Sequence, residues 1–204
     1  MSRRHSQRTA VDSRPQGRRR GIGVTATESP RASAVRVHLG GDHAAYELKE
    51  QLVAWLRLQE YEIVDHGPHV HDPQDDYPPF VLRAAMAVAS ELGSVGIVLG
   101  GSGNGEQIAA NKVHGIRAAL AWNEDTAALA RQHNDANVIA VGARQHPAEE
   151  AMRFLQAFLN ARFSGDPRHQ RRIDMLTEYE ATGSLPPLPA TPIAQRAQEA
   201  APNT

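Results

Sequence analysis

Cysteine is missing from all 204 residues, which excludes disulfides, thiolate nucleophiles and zinc or iron-sulfur centres held by cysteine. The redox compartment is left open by that absence. Missing too is any apolar run near the ~18 residues that a membrane span requires, so the chain reads as a soluble protein without a membrane partner. Net charge is almost absent at −1, but the balance is uneven: residues 1–34 hold eight arginines against Asp12 and Glu28, +6, and the remainder carries −7. This first stretch also lacks large apolar residues and any helical or strand period, which predicts a disordered basic tail. Arg3-Arg4 and Arg18-Arg19-Arg20 invite an export or nucleic-acid reading. No apolar segment follows them, and a solvated arm accounts for them.

Order begins near Val35. Val35, Val37 and Leu39 alternate into Gly40-Gly41-Asp42-His43, and Leu48, Leu52, Trp55 and Leu56 then recur at helical spacing. Tyr61 to Asp65 reads as a second strand and His66 to Asp76 as a polar loop. Pro78-Pro79 suits the first turn of a helix bearing Phe80, Val81, Ala84, Ala85 and Val88. Val95 to Gly100 is a third strand, Ile116 to Trp122 a fourth, and Val138 to Val141 a fifth. Helices are predicted over Glu124–Gln132 with Asn123 as N-cap, from Pro147 through Phe163, and from Pro167, capped by Asp166, to about Glu180. Strands alternating with helices at this spacing predict an α/β fold: a doubly wound, Rossmann-like sheet of five parallel strands, helices on both faces, and an additional C-terminal helix. Residues 35–180 form one predicted domain, and residues 181–204, rich in proline and alanine, a second disordered tail.

In such a sheet ligands bind beyond the C-terminal strand ends, where the strand order reverses. The unusual residues fall there. Gly100-Gly101-Ser102-Gly103-Asn104-Gly105 joins the third strand to a helix, and loop and helix N-terminus both present amide N–H groups without intrahelical acceptors. Neither familiar glycine motif fits. The dinucleotide fingerprint needs a glycine where Glu106 stands, and a Walker A loop needs Lys-Ser/Thr where the chain has Glu106-Gln107. A carboxylate in that first turn competes with a bound phosphate, yet it suits proton abstraction beside a carbonyl: Glu106 takes the proton, and Ser102, Asn104 and the amides of Gly101, Gly103 and Gly105 receive the oxyanion.

Other candidates read less sharply. Asp42 serves equally as an N-cap or a substrate contact, and His43 faces the same crevice. His133 closes the helix that starts at Glu124, where the dipole favours imidazolium, with Asn134 next as a residue tolerant of the left-handed C-cap. Arg168, Arg171 and Arg172 share one helix face, opposite Ile173, Leu176 and Tyr179, and with Arg144 they suit a phosphate clamp. His66, His69, His71 and Asp72 resemble metal ligands only superficially, since no two-His-plus-carboxylate spacing lies on a rigid element.

Together, Leu39-Gly40-Gly41-Asp42-His43-Ala44, Asp76-Tyr77-Pro78, Gly100 through Lys112, Arg131-Gln132-His133-Asn134 and Arg168 through Asp174 resemble the ribose-5-phosphate isomerase B group in order and spacing. This group belongs to a wider set of sugar-phosphate isomerases that includes galactose-6-phosphate and allose-6-phosphate isomerases. The resemblance spans roughly Val35 to Glu180 and implies a cytoplasmic enzyme of the pentose phosphate pathway. It implies no metal or organic cofactor, a phosphorylated pentose as substrate, and homodimers with active sites at the subunit interface. Carried over, it makes Glu106 the base between C1 and C2. Ser102 with the amides of Gly101 to Gly105 would hold a cis-enediolate, and His133, with Asp42, would open the furanose ring. Asn134 would bind a sugar hydroxyl, and His43, Arg144, Arg168 and Arg172 the phosphate. Another branch of the family has cysteine where this chain has Gly100; with Glu106 and no cysteine, the chain resembles the glutamate branch of actinobacteria. Two rival readings stand beside it: the same chemistry on a six-carbon sugar phosphate, and a non-catalytic phosphosugar-binding module whose basic tail contacts nucleic acid.

Overall fold

A computed structural model describes residues 35–189; the predicted basic tail, and residues 190–204 of the second tail, lie outside the described residues. Five strands, β1 (Arg36–Gly41), β2 (Glu62–Asp65), β3 (Val95–Gly100), β4 (Ala118–Leu120) and β5 (Val138–Gly142), form one sheet in the order β2-β1-β3-β5-β4. Every pairing is parallel. Six helices surround it: α1 (Tyr46–Leu58), α2 (Pro78–Ser90), α3 (Asn104–Ala110), α4 (Glu124–Asn134), α5 (Ala148–Asn160) and α6 (Pro167–Thr182). Among the described residues no helix is long and apolar enough to cross a membrane.

Side chains alternate across a strand, so each strand feeds two cores. Val37, Leu39, Val95, Ile97, Leu99, Ile139 and Val141 face α1, α4 and α5, meeting Leu48, Leu52, Leu56, Ala127, Leu155 and Phe158. Val98, Val138, Ala140 and Ala118 face α2 and α3 and meet Val81, Ala85, Val88, Ala109 and Ala110. β3 and β5 are buried along their whole length, which is why VGIVLG and VIAVG read as unbroken apolar runs. One buried position runs against pattern. Lys49 on α1 is fully enclosed, its Nζ 2.5 Å from Asp65 Oδ2 and 2.9 Å from Glu50 Oε1.

Several boundaries differ from the sequence reading, each for a local reason. β4 spans three residues rather than Ile116 to Trp122. The Arg117 amide donates to Asn137 Oδ1 (2.9 Å), ending the ladder at one side, and Asn123 begins α4 at the other. Side chains cap the start of β4: the Ala118 amide donates to Asn111 Oδ1 (2.9 Å), while Asn111 Nδ2 and Gln107 Nε2 donate to the Ala118 carbonyl (2.9 and 3.2 Å). α5 stops at Asn160 rather than Phe163, and the Ser164 amide then donates to the Gln132 carbonyl, drawing the chain onto α4. The left-handed residue closing α4 is Asp135, at φ 42°, not Asn134. Its carboxylate and carbonyl hold Arg117 and Arg131, which stabilises the conformation. α6 continues to Thr182, so the second tail starts after Gly183 at φ 73°. On α6 only His169 and Ile173 are buried, and Leu176 and Tyr179 stay exposed rather than packing down.

Candidate active site

The strand order reverses between β1 and β3, and the glycine loop leaves β3 there. Gly103 adopts φ 80° to turn the chain into α3, and a Cβ on it would press on Leu120 and on the backbone of Val141 and Gly142. One turn later the Glu106 side chain folds back over the strand end and is 4% exposed. A Cβ on Gly100 would overlap its carboxylate, so this placement of Glu106 requires glycine at position 100. Burial raises the Glu106 pKa above the ordinary carboxylate value, the nearby Asp42 charge adds to the rise, and the amides of Glu106 itself and Gly103 offset part of it. A carboxylate pushed in that direction is the stronger base once ionised.

A cleft of about 430 Å³ opens over Glu106, lined by Asp42, His43, Ala44, Tyr77, Gly101, Ser102, Gly105, Arg144 and Gln145. β1 supplies Asp42 and His43 at its end. Asp42 Oδ1 caps the short turn His43–Ala45 by accepting from the Ala44 amide (3.0 Å), as the N-cap reading predicts, and the residue also lines the cleft. Arg144 arrives from β5, whose following loop is fastened to the glycine loop by amide bonds from Ala143 to the Gly100 carbonyl (2.8 Å) and from Arg144 to the Gly101 carbonyl (3.0 Å). His43 is held by Asp75, and this contact raises the imidazole pKa.

The remaining candidates lie elsewhere on the chain. Gly103 shapes the loop without lining the cleft, and Asn104 turns its Nδ2 to Ser102 Oγ (3.2 Å) and lines two neighbouring grooves. His133 stacks on His169, with ring centroids 4.2 Å apart, and Arg168 Nη2 lies 3.4 Å from His169 Nε2. His169 is buried, accepts or donates at Nδ1 with Ser164 Oγ (3.1 Å), and has its pKa lowered by burial and then by His133. Asn134 lines a groove of about 820 Å³ together with Trp122, Leu176 and Tyr179, and Arg172 lies exposed on α6. His133, Asn134, Arg168 and Arg172 therefore form a second group that does not line the Glu106 cleft, and a phosphate clamp joining Arg144 to Arg168 and Arg172 is not assembled within one chain.

Three cleft-associated residues escaped the sequence reading. Tyr77 was legible only as part of Asp76-Tyr77-Pro78; its ring lies so close to Gly105 that a Cβ there would come within 2.8 Å of Cζ. Gln145 follows Arg144 with no distinguishing pattern. Asp75 is one acid among several in a polar loop, and its contact with His43 crosses 32 positions of sequence.

A glycine loop with a buried carboxylate beside it, at the switch point of a doubly wound sheet, has the parts that enzymes use to shift a proton next to a carbonyl. The chain is a member of the ribose/galactose isomerase family, whose sequence profile matches residues 37–176. Among its relatives, ribose-5-phosphate isomerase B of Mycobacterium tuberculosis is 52% identical over 160 residues, which is 78% of this chain and 99% of that protein. The Escherichia coli ribose-5-phosphate isomerase B is 39% identical over 145 residues, 71% of this chain and 96% of that one. Of solved structures, ribose-5-phosphate isomerase B from Clostridium thermocellum superposes with a TM-score of 0.70 at 40% identity, covering 74% of this chain and all of that one. The Mycoplasma genitalium enzyme, solved with bound ribulose 5-phosphate, gives 0.70 at 39% identity over 72% of this chain and 97% of its own.

Proposed function

We propose that this protein interconverts D-ribose 5-phosphate and D-ribulose 5-phosphate by moving one proton between C1 and C2. The observation that carries the reading is Glu106: a buried carboxylate at a glycine loop, with Gly101, Ser102 and Gly105 lining the same cleft. His133, with Asp42, opens the furanose ring. Glu106 takes the C2 proton, electrons pass to the carbonyl oxygen, and the cis-enediolate is received by Ser102 and the loop amides. A proton then passes from O2 to O1 as Glu106 returns its own proton to C1, which leaves the carbonyl at C2. One preorganised donor to an oxyanion lowers a barrier by about 3 kcal/mol, so the loop and the base share the work.

The phosphate end is assigned to His43 and Arg144 with Arg168 and Arg172, and Asn134 to a sugar hydroxyl. Because the last three and His133 stand apart from the cleft in one chain, we assign them to the partner protomer of a homodimer. Exposed Trp122, Leu176 and Tyr179 lie beside that second group and supply apolar surface for such a contact.

The direct test is Glu106→Gln assayed on ribose 5-phosphate, where loss of a general base is expected to lower kcat by about 10²- to 10⁴-fold with KM little changed. Near-normal kcat would remove Glu106 from the reaction. Comparing kcat/KM on ribose, allose and galactose phosphates fixes the sugar; a preference for either six-carbon substrate would overturn the pentose assignment.

A further inference from the structure

His43 is held at two points by one acid. Asp75 Oδ1 accepts from the His43 backbone amide at 2.8 Å and lies 2.8 Å from Nδ1 of the same residue. Those are the only donors reaching the Asp75 carboxylate among the described residues, and its Oδ2 is buried without a partner there. Asp75 comes from the loop between β2 and α2, two residues before Tyr77, whereas His43 begins the turn after β1, so the contact ties two walls of the cleft together. Committing Nδ1 to a carboxylate leaves Nε2 as the ring nitrogen for a ligand, and fixes the ring's orientation and tautomer. The other charged or titratable groups around the cleft are Asp42, Tyr77, Glu106 and Arg144. Of these, Asp42 favours the imidazolium and burial opposes it.

The geometry points to Asp75 as the positioning residue that keeps His43 oriented and cationic for the substrate phosphate. This deepens the proposed function and rests on His43 being a phosphate contact. Asp75 touches no substrate itself. Its effect belongs to binding rather than proton transfer, and it shows as pH rises past 6.5: a raised His43 pKa keeps a larger cationic fraction there than an unassisted imidazole would have.

The test compares wild type with Asp75→Asn, Asp75→Glu and His43→Ala. The His43 imidazole is titrated by nitrogen-15 NMR, and KM for ribose 5-phosphate and inhibition by inorganic phosphate are measured from pH 6 to 9. In Asp75→Asn the His43 pKa is expected to fall, and KM and the phosphate inhibition constant to rise several-fold above pH 7, returning toward wild type at pH 6. Saturated kcat should change less than two-fold, with Asp75→Glu recovering part of the loss. An unchanged His43 pKa in Asp75→Asn, or a KM increase equal at every pH, overturns the proposal. If His43→Ala leaves KM unaltered, the phosphate role of His43 fails first, separately from any result at Asp75.

Discussion

Glu106 carries its chemistry because of where its charge is placed. A carboxylate whose pKa is raised in the folded state favours folding when protonated, and that contribution fades as pH rises through the raised value. Wild type should therefore melt lower than Glu106→Gln at pH 8, with the gap closing below the ordinary value of 4.5, as differential scanning calorimetry across pH would record. The acid limb of kcat/KM should have its midpoint above that same 4.5, since the base must ionise to act. Gly100 belongs to the same arrangement. Gly100→Ala puts a methyl into the carboxylate's space, and a displacement of about 1 Å costs on the order of 100-fold in kcat, with a native-like circular dichroism spectrum expected. Glu106 was legible in sequence because an acid spoils an otherwise ordinary anion loop. Asp75 was not, because nothing local separates it from Asp72 or Asp76, and only the fold brings it to His43.

At the level of elements, the strong periodic segments were readable and the short ones were not. β3 and β5 announced themselves as buried parallel strands, and the cap of α4 was written in Asn123, whose Oδ1 accepts from the Thr126 amide at 2.8 Å. β4 misled, because apolar residues outside the ladder prolong its pattern at both ends, and no propensity rule places the end of a three-residue edge strand. The burial of Lys49 had no local signal, since it depends on Asp65 from β2. The cap has a measurable consequence. Asn123→Ala should cost about 1 kcal/mol and lower Tm by about 2–4 °C, checked by thermal melting.

For the whole molecule, the two groups of candidate residues decide what an active unit must be. Sequence placed most of them at strand or helix ends, and Arg168 and Arg172 on one helix face, but it carried no information on which surface each would occupy; the family resemblance implied sites shared between subunits. If the second group serves the neighbour's cleft, Glu106→Gln and Arg172→Ala are defects in different halves of one site. Mixing the two inactive variants and allowing subunits to exchange should restore roughly a quarter of wild-type activity, because half the dimers are mixed and each has one intact site. No recovery, with exchange verified by mass spectrometry, would place both groups in the same protomer. The Ala118 position of β4 bears on assembly too. With both of its backbone groups taken by Asn111 and Gln107, this point of the sheet margin cannot pair with a strand from another chain. A subunit docking there must do so through side chains, and an invading strand finds an interrupted ladder on the β4 side.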